Sequence, residues 1–339
     1  MMRAPRFQYY AARDAADAAR ALAGEESAML LAGGTDLVPN MKRRTQTPAT
    51  VVGLRRCADM VGVANGNGLR IGAMTTLADV AADAHVGAHA RALAVAAGSV
   101  ATVHLRAMGS LGGNLCLDTR CNYYDQNAEW REAIGFCMKA PSGTGGHACA
   151  TPDGSSICWV ATSSPRCWAV SSTDCAPALI ALGAEVTLRG PRDVRTIPIE
   201  ELYANDGMTY LTKQRDEVLT AVRLPPEVSG QRSTYWKLRR RGSFDFPVLG
   251  VAAMVRTGRS GVVEEARIVL GAVASQPVML DESASLAGKP LTDDAIRSVS
   301  EAATAYARPM DNTDFALSWR KKVVRSYVLG ALEELRDLP

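Results

Sequence analysis

The sequence of 339 residues lacks several features that would assign it to a simple functional class. It has no apolar run close to the roughly 20 residues that a membrane span needs. Its first residues, MMRAPRFQYYAARD, contain neither the apolar segment nor the small-residue cleavage site of a signal peptide. Its charge is balanced, with 38 Lys and Arg against 35 Asp and Glu, which argues against nucleic acid or a membrane surface as a partner. These absences predict a cytoplasmic protein.

Common nucleotide-binding and zinc-binding motifs are absent as well. The sequence has no GxxxxGK Walker motif, no GxGxxG fingerprint and no CxxC pair of the kind that zinc ribbons use. It has no internal repeat, and its one compositionally biased segment is a loop rich in Gly, Ser, Thr and Pro at residues 141–156. Any cofactor site must therefore be built from less familiar patterns.

Cysteine is the residue type with the most uneven distribution. Six of the eight cysteines fall between positions 116 and 167, whereas a secreted disulfide framework would be spread along a small chain. Cys57, Cys116 and Cys175 lie within or beside apolar segments, where a free thiol commonly serves as a small core residue. The others lie in a polar, glycine-rich stretch with three tryptophans. In a reducing compartment this combination indicates an iron-sulfur or zinc site.

Two glycine-rich turns indicate a second kind of site. Gly33 and Gly34 end an apolar strand at residues 27–32 and precede a helical turn at residues 37–42, and MGSLGGN at residues 108–114 forms another such turn. Glycines between a strand and a helix allow backbone N–H groups to approach an anion such as a pyrophosphate. One such turn is equally compatible with a ligand-free bend, but two in one domain favour a ligand.

The element pattern divides the chain into three parts with an α+β fold. Asp14 predicts an N-cap for the first helix, and Asp174 predicts one for the helix that begins CAPALIALG. We also predict a hairpin turn at residues 65–68 and helices at residues 77–84 and 88–101. The pair Pro225 and Pro226 marks a boundary. We predict an N-terminal α/β subdomain at residues 1–56, a second subdomain at 57–225 with an insert at about 116–170, and a C-terminal domain at 226–339 with a three-stranded sheet and helices.

Five segments together resemble the FAD-binding medium subunit of the molybdenum hydroxylases, the xanthine dehydrogenase and carbon monoxide dehydrogenase family. They are AGGTDLVPNMK at 32–42, MGSLGGNL at 108–115, SSTDCAPALIALGAEV at 171–186, LTAVRLP at 219–225 and YWKLRRRGSFDFPVLGVAA at 235–253. The resemblance covers nearly the whole chain and implies the α+β fold of that subunit, with two FAD-binding subdomains and a C-terminal domain. It also implies FAD as cofactor.

The resemblance assigns FAD contacts to both glycine turns and to three later residues. The implied set is Ala32, Gly33, Gly34, Thr35, Asp36, Leu37, Ser110, Leu111, Gly112, Gly113, Asn114, Asp174, Leu219 and Lys237. The first turn is expected at the pyrophosphate, and Asp174 at the adenosine or ribose, although it could also serve only as a helix cap. Leu219 and Lys237 are expected at the isoalloxazine ring, where a cation would stabilise the reduced anion.

The insert between Asn114 and Asp174 is much longer than in most of the family and resembles that of the β subunits of 4-hydroxybenzoyl-CoA reductases. There the loop carries an extra 4Fe-4S cluster, and the resemblance assigns its ligands to Cys121, Cys137, Cys158 and Cys167. The segment between Cys137 and Cys158 is longer than the pattern and contains His147 and Cys149. Cys149 stays an alternative third ligand, and His147 is expected at the surface.

The resemblance implies an electron-transfer oxidoreductase subunit with no organic substrate site of its own. Reduced ferredoxin would supply electrons through the 4Fe-4S cluster to FAD. A small 2Fe-2S subunit and a molybdopterin large subunit would then reduce 4-hydroxybenzoyl-CoA to benzoyl-CoA, in a dimer of heterotrimers. Two alternatives stay open: the FAD subunit of another molybdenum hydroxylase acting on an aromatic or heterocyclic substrate, and a structural adaptor whose loop is held by zinc.

Overall fold

The computed structural model describes residues 3–140, 157–226 and 230–338, which form three sheets with their helices. The first sheet is parallel, in the order β1-β3-β2. Its unit consists of β1 (Gln8–Ala11), α1 (Ala15–Gly24), β2 (Ala28–Leu31), α2 (Leu37–Lys42) and β3 (Thr50–Gly53). Parallel neighbours need crossover connections, and α1 and α2 lie in the segments that connect these strands.

The second unit is an antiparallel sheet in the order β4-β5-β8-β6-β7, and the described residues between β5 and β6 form seven helices. Every residue of the last of these helices is buried, and it contacts both another helix of this unit and the third sheet. The elements are β4 (Val63–Gly66), β5 (Gly68–Gly72), α3 (Leu77–Ala82), α4 (Ala84–His89), α5 (Arg91–Ser99), α6 (Val103–Arg106), α7 (Leu111–Leu115), α8 (Ala128–Ala133), α9 (Cys175–Ala181), β6 (Glu185–Arg189), β7 (Val194–Pro198) and β8 (Val218–Arg223).

The third unit is an antiparallel sheet in the order β12-β11-β10-β9, with two helices that pack together. Its elements are β9 (Gln231–Leu238), β10 (Leu249–Thr257), β11 (Val263–Gly271), β12 (Val278–Met279), α10 (Asp293–Ala302) and α11 (Leu317–Asp337). The sheet therefore has four strands rather than the predicted three. The fourth strand has two residues, too few to produce an alternating pattern. Within the described ranges, no helix is long and apolar enough to cross a bilayer.

Local sequence signals place several of these elements correctly. The Asp14 carboxylate accepts the Asp17 N–H at 2.7 Å and begins α1, as predicted. The predicted turn at residues 65–68 joins β4 and β5 as a hairpin. A single predicted helix at residues 77–84 instead ends at Ala82, because Asp83 accepts the N–H groups of His85 and Val86 and begins another helix. The break between the two helices follows from the local hydrogen bonds of Asp83 rather than from the apolar pattern.

The cysteine-rich insert leaves the second unit between α7 and α9 and has a small core of its own. At its base, Arg120 and Val170 exchange backbone hydrogen bonds of 2.8 and 2.7 Å. Beyond them, the four predicted ligand cysteines are buried together with Tyr124, Met138, Ala140 and Ala169. The described part of the insert thus packs around its own thiols in a cluster separate from the main apolar core.

Candidate functional site

The two glycine-rich turns lie in direct contact. A Cβ atom added to Gly33 would overlap the carbonyl oxygen of Met108. One added to Gly109 would lie 3.5 Å from the Thr35 Oγ1 atom, and Gly34 has a φ of +72°, in the region that favours glycine. The turns are over 70 positions apart in sequence, and the fold nevertheless places them side by side. The turns therefore meet through their backbones, and a pyrophosphate held between them stays a prediction.

Side chains of the second turn make their contacts within the protein. The Ser110 hydroxyl accepts the Gly113 N–H at 3.1 Å, which caps α7. The Asn114 amide oxygen accepts the Thr173 hydroxyl at 2.7 Å and the Cys175 N–H at 3.1 Å. Leu111 is fully buried in the core. These residues therefore fix α7 against the start of α9.

Asp36 connects the first turn to the insert. Its carboxylate pairs with the Arg120 guanidinium and accepts the Asn40 amide at 3.0 Å. Arg120 is buried, also pairs with Asp125 at 3.2 Å, and immediately precedes the predicted ligand Cys121. Burial raises the pKa of the Asp36 carboxyl, and Arg120 opposes that rise. Sequence reasoning missed Arg120, although its position beside the candidate ligand Cys121 and between Asp118 and Asp125 was a usable signal.

Asp174 and Lys237, both predicted FAD contacts, form a buried ion pair with each other. The Lys237 Nζ atom lies 2.9 Å from the Asp174 carboxylate and donates to the Ser99 carbonyl at 3.1 Å, and the Tyr235 hydroxyl donates to Asp174 at 2.8 Å. Burial raises the pKa of the Asp174 carboxyl, and the Lys237 ammonium opposes that rise. The pair joins the start of α9 to β9.

The prediction that Asp174 caps α9 is wrong. Its side chain makes no capping hydrogen bond, because the carboxylate is committed to Lys237 and Tyr235. The Thr173 hydroxyl accepts the Ala176 N–H at 3.3 Å, and Asn114 accepts that of Cys175. Leu219 lies on β8 and is 4% exposed within the main core. A contact of Leu219 or Lys237 with the flavin ring stays a prediction.

Replacing Lys237 by methionine should strongly destabilise the protein. The two side chains are only 5% and 3% exposed, so the variant leaves the Asp174 carboxylate buried without its cation. Breaking a buried pair in this way costs about 3–5 kcal/mol. Chemical denaturation should report this loss for K237M and a smaller one for the double variant D174N/K237M. The control R241M removes the ion pair of Arg241, which is 58% exposed, with Asp245, and its denaturation midpoint should stay close to that of the wild type. A change in K237M as small as that in R241M would contradict the expectation.

The four predicted ligand cysteines line one small cavity. They are 4–7% exposed. Burial raises the pKa of the Cys121 thiol to about 12 and that of the Cys167 thiol to about 11, so both thiols are protonated without a metal. No three His, Cys, Asp or Glu side chains in residues 3–140, 157–226 and 230–338 are arranged to hold one metal ion. His147 and Cys149 lie outside the described residues.

Aromatic and cationic side chains surround this cavity. Trp159 lines it and donates its indole N–H to the Phe136 carbonyl, and the Trp168 indole donates to the Ser164 hydroxyl at 2.8 Å. Lys139 also lines the cavity and pairs with Asp118 at 2.7 Å. Sequence reasoning noted the tryptophans but missed Lys139 and Asp118. Their burial depends on tertiary contacts that no sequence spacing reveals.

Comparison with known proteins relates this architecture to one family over nearly the whole chain. Residues 5–227 match the FAD binding domain in molybdopterin dehydrogenase, and residues 233–335 match the CO dehydrogenase flavoprotein C-terminal domain. The chain is 30% identical to the aldehyde oxidoreductase FAD-binding subunit PaoB of Escherichia coli, across 96% of this chain and 98% of that subunit. It is 28% identical to the carbon monoxide dehydrogenase medium chain of Hydrogenophaga pseudoflava, across 91% and 89%.

A solved structure shows the same fold. A chain of the carbon monoxide dehydrogenase from Hydrogenophaga pseudoflava superposes with a TM-score of 0.77 at 25% identity, over 98% of this chain and 97% of that chain. The fold is therefore the predicted α+β arrangement, and FAD is the cofactor that the matched domain binds. This chain belongs to the family of FAD-binding medium subunits of the molybdenum hydroxylases, and it is an oxidoreductase subunit that passes electrons.

Proposed function

We propose that this chain binds a 4Fe-4S cluster as well as FAD, and that it delivers electrons from reduced ferredoxin to a molybdenum enzyme. The enzyme would remove the phenolic hydroxyl of 4-hydroxybenzoyl-CoA to give benzoyl-CoA. A molybdopterin large subunit and a 2Fe-2S small subunit would be its partners, in a dimer of heterotrimers. The observation that carries this proposal is that four cysteines from an insert line one buried cavity.

The donor set of the cavity suits an iron-sulfur cluster. Four thiolates are the usual ligands of a 4Fe-4S cluster, and bulky aromatic side chains protect such clusters from solvent. A zinc site needs its sulfurs about 2.3 Å from one ion. The cluster's thiolates each bind a different iron and therefore stand further apart. Among the described residues, no three His, Cys, Asp or Glu side chains are arranged to hold one metal ion, and the proposal rests on the cavity that the four cysteines share.

Residues of this chain would hold both FAD and the cluster, and buried charged residues connect the two sites. The backbone of the glycine turns, centred on Gly33 and Gly113, would hold the FAD pyrophosphate, and Cys121, Cys137, Cys158 and Cys167 would hold the irons. When bound, FAD exchanges one or two electrons and a cluster exchanges one at a time. Arg120 ties the Asp36 turn to the base of the insert, so the two sites share one buried charged link.

The second candidate is the FAD subunit of a molybdenum hydroxylase with another substrate. The relatives described above favour it, because they belong to an aldehyde oxidoreductase and a carbon monoxide dehydrogenase rather than to a CoA-thioester reductase. The insert with its four buried thiols favours the first candidate. Both candidates assign FAD to this chain, and they differ in whether an iron-sulfur cluster accompanies it and in the substrate of the partner subunit.

Activity of the purified three-subunit complex separates the candidates. With reduced ferredoxin as donor, we expect 4-hydroxybenzoyl-CoA to be converted to benzoyl-CoA, detected by liquid chromatography. The control replaces ferredoxin by an artificial electron acceptor and offers aromatic aldehydes and N-heterocycles for oxidation. Oxidation of these compounds without any benzoyl-CoA formation would contradict the first candidate and support the second.

A further inference from the structure

A buried lysine lies in the wall of the thiol cavity. Lys139 lines the cavity with the four cysteines, and its side chain is only 6% exposed. Its ammonium donates to the Asp118 carboxylate at 2.7 Å, to the Thr119 hydroxyl at 2.5 Å and to the Gly207 carbonyl at 2.6 Å. These three acceptors use all three ammonium hydrogens, so the charge has one fixed position.

Lys139 is also linked through the backbone to one of the thiols. Gly207, whose carbonyl it binds, donates its N–H to the Cys167 carbonyl at 2.9 Å. A Cβ atom at Gly207 would lie 2.7 Å from the Cys167 sulfur, so the glycine packs directly on that thiol. The ammonium lies 4.7 Å from the centroid of the Tyr124 ring, which keeps water from this side of the charge.

The counter-charge lies on the other side of the lysine. Asp118 accepts the Tyr124 hydroxyl at 2.7 Å and the Gln46 amide at 3.1 Å, and its side chain is 9% exposed. Unlike Lys139, it does not line the cavity in the described part of the chain. The thiols therefore face the cation of a buried ion pair, and the anion is behind it.

Folding alone does not account for this arrangement. A buried ion pair is often no more stabilising than apolar residues of similar volume, and lysine is among the residues that are least often fully buried. The charged group paired with the lysine is Asp118. Arg120 lies two residues after Asp118, and its own partners are Asp36 and Asp125. Arg120 is paired with those two carboxylates, and Arg131, another buried cation near Cys137, does not line the cavity among the described residues. Lys139 is therefore the cation in the cavity wall.

We propose that Lys139 is a positioning residue that raises the reduction potential of the centre held by the four cysteines, with Asp118 as the opposing charge. This inference rests on the proposed cluster. Reduction adds one electron and makes the thiolate-ligated centre more negative, and a fixed cation in a poorly solvated site stabilises that added charge. Removing the cation lowers the potential, and removing the anion raises it.

The test is a redox titration of the anaerobically purified full chain, followed by EPR of the reduced cluster. At the potential where the wild type is half reduced, K139M should show at least a tenfold lower ratio of reduced to oxidised cluster, which is about 59 mV for one electron. D118N should shift the potential in the opposite direction. K139R keeps the charge and should stay near the wild type. R166M removes a partly exposed cation of the same insert and should change little.

Opposite shifts in K139M and D118N support the inference, because a general distortion of the insert would move both in the same direction. If K139M loses its iron, D118N is compared with K139R, and a raised potential in D118N with K139R near the wild type supports the inference. Shifts of equal sign, or shifts no larger than that of R166M, would overturn the inference while leaving the cluster in place. A wild-type chain without iron and acid-labile sulfide would instead overturn the proposed function, and this inference with it.

Discussion

Replacing Cys158 by serine should remove most of the iron from the full chain and leave its FAD in place. Cys158 is 4% exposed and shares its cavity with the other three candidate ligands. A serine oxygen is a much harder ligand than a thiolate and suits iron-sulfur chemistry poorly. Iron and sulfide analysis of the anaerobically purified variant should show a drop of about tenfold or more, since even an outer-shell change costs a metal site about 10–100-fold in affinity.

Two further cysteines provide controls for this experiment. Cys57 is also buried, but it belongs to the main apolar core rather than to the cluster of the insert, and its thiol faces the Ala12 carbonyl, so C57S should keep its iron. C149S tests the alternative third ligand, and we expect it to keep its iron as well. Loss of iron from C149S together with retention in C158S would show that the ligand assignment is wrong.

Replacing Gly33 by alanine should greatly weaken FAD binding. The added methyl group would overlap the Met108 carbonyl, so the two glycine turns must separate and could no longer contact one pyrophosphate together. Overpacking of this kind costs about 1–3 kcal/mol, which corresponds to a loss of roughly fivefold to 150-fold in affinity. Titration of the flavin-free protein with FAD, followed by flavin fluorescence, measures the change.

Gly24 offers a matched control on the same subdomain. It is exposed at the end of α1, and a Cβ atom added there would meet nothing within 4 Å. G24A should therefore bind FAD as the wild type does. If G33A also binds FAD with wild-type affinity, the pyrophosphate does not lie between the two turns, and the FAD contacts assigned to residues 32–37 and 110–114 would need to be placed elsewhere.

The parts of the fold that sequence predicts are those fixed by local chemistry. The Asp14 cap, the hairpin at residues 65–68 and the short helix α2 follow from side chains and glycines within a few positions of each other. The second helix begun by Asp83 was missed because the apolar pattern continues across it. β12 was missed because its two residues pair only with β11, which is an entirely tertiary property.

The candidate sites divide in the same way. Glycine turns and clustered cysteines leave a recognisable pattern, so both candidate sites could be predicted by residue type. The partners of the charged residues could not: Asp174 was predicted to cap a helix, but it meets Lys237 from a strand 63 positions later. Likewise, nothing local to Lys139 indicates that Asp118 and Gly207 would hold it beside the thiols. The partners of buried charges depend on the tertiary fold, and the sequence alone does not predict them.

The most direct test of the account is metal analysis of the full chain, expressed without partner subunits so that every iron belongs to it. After anaerobic purification and reconstitution with FAD, we expect about four irons and four acid-labile sulfides for each FAD, the content of one 4Fe-4S cluster. Zinc without sulfide would identify the insert as a structural loop. A flavin spectrum without iron would leave an FAD subunit with no cluster, and either result would contradict the account.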